Sequence, residues 1–199
     1  MRMRGLFFAH VALVAGVFTQ PAQAIWLSER GDTAWLTGSF ENGDDERFRA
    51  FLAQPRVQPI RVLYLSSHGG RMNAAFAIGR MVRKAGIITA VQADGAVCSS
   101  ACTFVFAGGV RRHNVNGNAV FEGLTSMTGL GFHPAHRMGD RVTAGMLSDD
   151  GTQRMRAYYA EMGMPRAADL MEKAAINTMY RPGGQTSLNL RIATSLSAP

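Results

Sequence analysis

Apolar positions along this chain come in short runs broken by glycine and proline, and the spacing within each run predicts its structure. Trp26 to Phe40 alternates loosely around Gly31-Asp32 and Gly38, which predicts one or two short strands joined by a turn. The polar loop Asn42-Gly43-Asp44-Asp45 can cap a helix, and Phe48, Phe51 and Leu52 recur at helical spacing before Pro55. After Pro59, Ile60-Arg61-Val62-Leu63-Tyr64-Leu65 is a compact β-rich run of the kind found in a buried parallel strand, ending at Ser66-Ser67-His68-Gly69-Gly70. Met72, Ala75, Phe76, Ile78, Gly79, Met81 and Val82 then form one helical face that closes near Gly86, and Ile87-Ile88-Thr89-Ala90-Val91 reads as the next strand. Strand, glycine turn, helix and strand make a βαβ unit, so a right-handed crossover and a parallel sheet are expected.

The same order repeats at Gly95-Ala96-Val97-Cys98-Ser99-Ser100-Ala101-Cys102, where a turn leads into the apolar run Thr103 to Ala107. Two glycine-containing turns at the carboxyl ends of neighbouring parallel strands should lie side by side, where open α/β sheets hold their sites. Beyond Arg111 the pattern loosens. A short strand is expected at Ala119-Val120-Phe121, then a long loop reaching Gly131-Phe132-His133-Pro134. Two helices are expected, Thr143 to Met162 and Pro165 to Ile176, with a last strand from the alternation of Leu188, Leu190 and Ile192.

Composition changes the picture at the amino end. Arg2 and Arg4 precede an almost wholly apolar stretch from Leu6 to Phe18, then Pro21 and Ala22-Gln23-Ala24, which reads as an export signal, residues 1–24, cleaved after Ala24. The apolar run is shorter than the roughly 20 residues of a membrane span, so no stable span is expected after cleavage. The mature chain is then one α/β domain, residues 25–199, in the periplasm or secreted. Removing Arg2 and Arg4 from 21 Lys/Arg against 14 Asp/Glu leaves a net charge of about +5. No basic run is interleaved with aromatics, which speaks against nucleic acid as a partner.

The candidate chemistry sits in the Gly95 to Cys102 stretch. A serine at the tight entry to a helix has its hydroxyl turned outward beside the helix's first free N–H groups, so Ser99 or Ser100 can serve as a nucleophile. Gly70, in the neighbouring turn, can supply an oxyanion donor. Four histidines remain beyond the signal. His68 belongs to the glycine turn, His113 reads as surface, His136 lies in a polar loop, and His133 is held between an aromatic and a proline. Cys98 and Cys102 can form a disulfide if Cys98 lies in the turn before the helix, and otherwise are two small buried thiols. Neither a metal nor a cofactor is expected.

Taken together, Ser67-His68-Gly69-Gly70-Arg71, Gly95-x-x-x-Ser99, Ala107-Gly108 and Phe132-His133-Pro134 resemble the proteolytic subunit of Clp protease and its exported relatives in the Clp/crotonase superfamily. The match runs from about Ile60 to Pro134. It implies a spiral of ββα units with a mainly parallel sheet flanked by helices. It also implies Ser99 as nucleophile, His133 as general base, and the backbone N–H groups of Gly70 and Ser100 as oxyanion donors. Asn177 is the third member by position, with Asp169 the nearest acid. The chain departs from the family in its His-Gly-Gly turn and in Arg71. A lysine base, as in a sister branch, could come only from Lys84 or Lys173. The resemblance implies a serine hydrolase acting on a peptide or acyl substrate, with homo-oligomeric assembly. Two other readings are a non-catalytic binding module that keeps the fold, and an acyl-CoA enzyme, which export disfavours.

Overall fold

The computed structural model describes residues 24–136, 147–174 and 178–199. Within them, β1 (Trp26–Arg30) and β2 (Thr33–Thr37) form an antiparallel hairpin about Gly31, whose φ of 63° suits a residue without a Cβ. α1 (Asp44–Leu52) opens with Asp44, Asp45 and Glu46 at its positive end and buries Phe48 and Phe51. β3 (Val62–Ser66) lies parallel to β2, α2 (Met72–Lys84) carries the crossover, and β4 (Ile88–Gln92) lies parallel to β3. β5 (Val97–Ser99) then leaves the sheet, and α3 (Cys102–Gly108) returns the chain to β6 (Arg112–Val115), which extends the sheet beside β4. The main sheet is therefore ordered β1-β2-β3-β4-β6, and β5 pairs in parallel with β7 (Gly129–Gly131) in a separate two-stranded layer. α4 (Asp149–Glu161), α5 (Ala167–Met171) and α6 (Gly184–Asn189) complete the described elements.

α3 is the hub of the core, and all seven of its residues are buried. It meets α2 backbone to backbone. A Cβ on Gly79 would stand 2.6 Å from the Phe104 carbonyl oxygen, and one on Gly108 would stand 2.2 Å from the Gly79 carbonyl oxygen. Phe76 packs edge-on against Phe104 at 4.6 Å and stacks on Tyr158 at 4.3 Å, which ties α4 to both helices. Aromatic pairs of this kind add about 1 kcal/mol beyond their burial, so α4 is held firmly over the α2/α3 crossing. No helix among the described residues is long and apolar enough to cross a membrane.

Beyond Arg111 the chain departs from the expected elements. Residues 119–121 are not a strand, and Phe121 is 77% exposed; the strand here is β6, in which Arg112, His113, Asn114 and Val115 are all buried. Three polar residues fit inside because the tail meets them. Arg112 donates to the carbonyls of Ile192 and Arg191, His113 Nδ1 donates to the Ser197 carbonyl at 2.7 Å, and the Asn114 amide donates to Ser187 Oγ. His113 is thus interior, not surface. The expected last strand is helix α6 instead: Ser187 sits in it fully buried and donates back to the Gly183 carbonyl. The strand-like contact to β6 comes a few residues later, through Thr194 to Leu196. The helix expected from Pro165 is shorter, and residues 175–177, together with the proposed signal up to residue 23, lie outside the described residues.

Candidate active site

Two turns meet above the carboxyl ends of β3 and β5. They are stitched together by the Ser67 N–H donating to the Val97 carbonyl at 2.7 Å and the Ser99 N–H donating to the Ser67 carbonyl at 3.0 Å. In the first turn Gly69 and Gly70 take φ values of 112° and 134°. The chain there is pressed against Phe40, whose N–H donates to Gly69 and whose carbonyl accepts from Arg71. A Cβ on Gly70 would stand 2.3 Å from the Phe40 carbonyl oxygen, so glycine is required there for space as well as for φ. This leaves the Gly70 N–H without a protein acceptor among the described residues.

In the second turn Ser100 takes a φ of 54°, one of three described residues other than glycine with a positive φ. Its N–H donates to the Gly131 carbonyl at 2.9 Å, and its carbonyl accepts from the Thr103 N–H and from Thr103 Oγ1 at 2.6 Å. Because the Thr103 hydroxyl proton is committed to that carbonyl, the Tyr159 hydroxyl 2.6 Å away donates to Thr103 Oγ1. Burial pushes the Tyr159 phenol pKa up, which keeps that donor protonated. A disulfide between Cys98 on β5 and Cys102 at the start of α3 spans the turn, with Cα atoms 5.1 Å apart. The Ala101 N–H, at the entry to α3, has no protein acceptor among the described residues. Neither does Ser100 Oγ.

A cavity of about 610 Å³ opens over these groups. Its lining includes Gly70, Ser100, Ala101 and His133, with Met72, Phe104 and Met155 forming an apolar part and His68, Arg71 and Arg154 a polar one. His133 is 8% exposed, and its Nδ1 lies 2.7 Å from the Pro134 carbonyl oxygen. A carbonyl can only accept, so Nδ1 carries the proton and Nε2 presents its lone pair. Burial first, then His136 with its ring centroid 5.0 Å away, lowers the His133 pKa to about 4. The imidazole is therefore neutral at neutral pH.

The structure brings Gly70, Ser100 and His133 to one cavity, but it treats the two serines differently from the expected assignment. Ser99 is 1% exposed and does not line the cavity, and its Oγ accepts from Arg181 Nη2 at 2.9 Å. The backbone differs at the two positions. As the last residue of β5, Ser99 points inward, and the left-handed step at the next residue turns Ser100 toward the cavity. The Ser100 N–H, expected as an oxyanion donor, is already given to Gly131, and the N–H one residue on, Ala101, is the free one. Asp169 forms an exposed ion pair with Arg166 on α5. Asn177 lies outside the described residues. Lys173 reaches the Tyr180 hydroxyl at 3.4 Å. Sequence reasoning missed the Ala101 N–H and Arg181. The one available signal for the register was the cysteine pair itself, whose five-residue ring is centred on Ser100.

The architecture is Clp protease-like and crotonase-like, a mostly parallel sheet flanked by helices. No family model matches the sequence, and no curated protein does. Solved structures share the architecture at low identity. A point variant of ClpP1 from Listeria monocytogenes aligns over 82% of this chain and 90% of its own at 13% identity, with a TM-score of 0.57. An alanine variant of the 1510-N membrane-bound stomatin-specific protease aligns over 81% and 76% at 13% identity, with a TM-score of 0.56. A probable enoyl-CoA hydratase/isomerase from Mycobacterium abscessus aligns over 87% and 69% at 9% identity, with a TM-score of 0.51.

Proposed function

We propose that this chain is an exported serine hydrolase of the peptidase type, with Ser100 as nucleophile, His133 as general base and the N–H groups of Gly70 and Ala101 as the oxyanion hole. One observation carries the reading: the left-handed backbone of Ser100 turns an unpartnered hydroxyl into a cavity that also holds two undonated N–H groups and a neutral histidine. A left-handed serine costs of order 1 kcal/mol, and such strain gathers where a side chain has to be aimed.

In the proposed reaction Ser100 Oγ attacks the carbonyl carbon of the substrate while its proton passes to His133 Nε2. The carbonyl oxygen takes up the negative charge and receives the Gly70 and Ala101 N–H groups. Collapse of the tetrahedral adduct expels the amine or alcohol, which takes the proton back from Nε2. Water, deprotonated by the same nitrogen, then releases the acyl group from Ser100. The Pro134 carbonyl fills one part of the role an acid plays in a triad by fixing the tautomer. It offsets the imidazolium charge less than a carboxylate does, and a base with a pKa of about 4 makes the enzyme slow.

Reaction of the mature protein with a fluorophosphonate probe tests this. A single adduct on Ser100, absent from Ser100→Ala, is the expected result; an unmodified wild type, or an adduct that persists in Ser100→Ala, overturns it. An amino terminus at Ile25 in material recovered from the periplasm or medium checks export. Native mass measurement checks homo-oligomeric assembly, which the same reading carries. The binding-module reading draws on the fact that no carboxylate hydrogen-bonds His133 among the described residues, and an unlabelled wild type favours it.

A further inference from the structure

Arg181 is 5% exposed and pairs with no carboxylate among the described residues, so its charge is held inside the protein by hydrogen bonds alone. Burying a cation without a counter-ion is costly, and well-packed apolar side chains would hold two strands together at less expense. What the guanidinium touches is therefore informative. Nη2 donates to Ser99 Oγ at 2.9 Å, Nη1 to the Gly129 carbonyl at 2.9 Å, and Nε to the Ser126 carbonyl at 2.8 Å. One planar group thus bridges the strand that ends in the Ser100 turn and the segment that runs up to His133.

The room for it is made by Gly131. A Cβ there would stand 2.8 Å from Arg181 Nη1 and 2.8 Å from Ser99 Oγ, so any larger residue would separate the pair. The backbone beside Arg181 is anchored on the same segment: Tyr180 and Phe132 exchange both hydrogen bonds at 2.9 Å, one residue before His133. By contrast, β5 and β7 pair over only three residues, Val97 with Gly129, Cys98 with Leu130 and Ser99 with Gly131. A ladder that short does not fix its own register. The Ser100 N–H donates to Gly131, so any slip would move the nucleophile against the base two residues further on.

We propose that Arg181 is a positioning residue, whose three-way guanidinium clamp holds the Ser100 turn in register with the strand leading to His133. The consequence for rate rests on the hydrolase reading above; the clamp itself does not. A misplacement of about 1 Å at reacting groups costs about 10²-fold, which sets the expected size of the effect.

Two measurements on the mature protein test the clamp. Amide hydrogen exchange is compared between wild type and Arg181→Met, and the second-order rate of fluorophosphonate labelling is measured on the folded fraction of each. The clamp predicts that exchange of the Ser100 amide accelerates at least tenfold while α2 amides are unchanged. It also predicts that labelling slows about 10²-fold. Guanidinium ion at non-denaturing concentration restores part of the labelling in Arg181→Ala, which a general loss of stability would not allow. Ser99→Ala removes one acceptor and loosens the same amide to a smaller extent, so the test stands even if Arg181→Met fails to fold. A Ser100 amide equally protected in these variants overturns the clamp. A Ser100 amide that loosens in a protein whose wild type is never labelled supports the clamp and removes the hydrolase reading instead.

Discussion

The two turns that frame the cavity solve the same problem in opposite ways. At the end of β3, the left-handed positions are Gly69 and Gly70, and what reaches the cavity is backbone: an N–H with no acceptor among the described residues. At the end of β5, the left-handed position is a serine, and what reaches the cavity is a side chain. Where only an amide has to be presented, glycine removes both the φ penalty and the Cβ that would strike Phe40. Where a hydroxyl has to be presented, the penalty at Ser100 is accepted and offset by its surroundings. Those surroundings are the hydrogen bond to Gly131, the Thr103 hydroxyl on the Ser100 carbonyl and the disulfide between Cys98 and Cys102. A left-handed glycine marks a backbone role, and a left-handed residue with a functional side chain marks a chemical one.

Gly70→Ala breaks the first turn and has the largest expected effect. The new methyl meets the Phe40 carbonyl at 2.3 Å in a backbone conformation that disfavours it. Stability should fall on the order of 3 kcal/mol. On the proposed reading the shift of the N–H removes one oxyanion donor, so Ser100 labelling of the folded fraction should also drop by about 10²–10³-fold. Gly31→Ala is the control, because its φ of 63° is also left-handed but no atom lies within 4 Å of the added Cβ. It should cost about 1 kcal/mol and leave labelling unchanged. Equal labelling in the two variants would break the comparison, since the first turn would then be a fold element only.

Much of this frame was legible in the residues. Alternation and helical spacing outline β1 through α3, because there the apolar runs are short and bounded by glycine or proline. β6 was not legible: Arg112, His113 and Asn114 are polar, and what allows their burial is a tail about eighty residues away. Which of Ser99 and Ser100 lines the cavity escaped for a similar reason. Two adjacent hydroxyls differ only in the backbone step between them and in the reach of Arg181, neither of which leaves a local pattern. His133 was readable from its Phe-His-Pro setting, whereas the Ala101 N–H has no side-chain signature. The expected third member, Asn177, lies outside the described residues, and within them His133 Nδ1 donates to the Pro134 carbonyl.

The next effect in size sharpens the comparison at His133, which lines the same cavity as both turns. Burial lowers the His133 pKa from 6.5 to about 4, so between those values the unfolded chain binds a proton that the folded one refuses. Stability from this residue is complete above pH 6.5 and falls as the pH drops to 4, by about 3 kcal/mol in all. Denaturant unfolding at pH 7 and pH 4 should therefore show wild type losing more than His133→Gln by roughly that amount. The acid limb of the labelling rate should sit near pH 4 rather than 6.5. Equal losses in the two proteins would mean that His133 is better solvated than its 8% exposure requires.

The smallest expected effect separates the covalent support of the second turn from its hydrogen bonds. The ring closed by Cys98 and Cys102 is short, and by chain entropy such a closure is worth about 2 kcal/mol. In a chain of this size that corresponds to a fall in Tm of about 4–8 °C for the Cys98→Ala, Cys102→Ala double variant. Both cysteines are fully buried, so alanine leaves little apolar contact beyond the lost sulfurs to account for. The bonds from Ser67 to Val97, Ser99 to Ser67 and Ser100 to Gly131 remain, so the fold survives and labelling of Ser100 should fall less than in Gly70→Ala. The first turn has no covalent brace; Phe40 and the Ser67 hydrogen bonds hold it, so it should change little. A Tm that stays put with labelling intact would assign the left-handed Ser100 wholly to its hydrogen bonds, making the two turns alike in how they are held and different only in what they present.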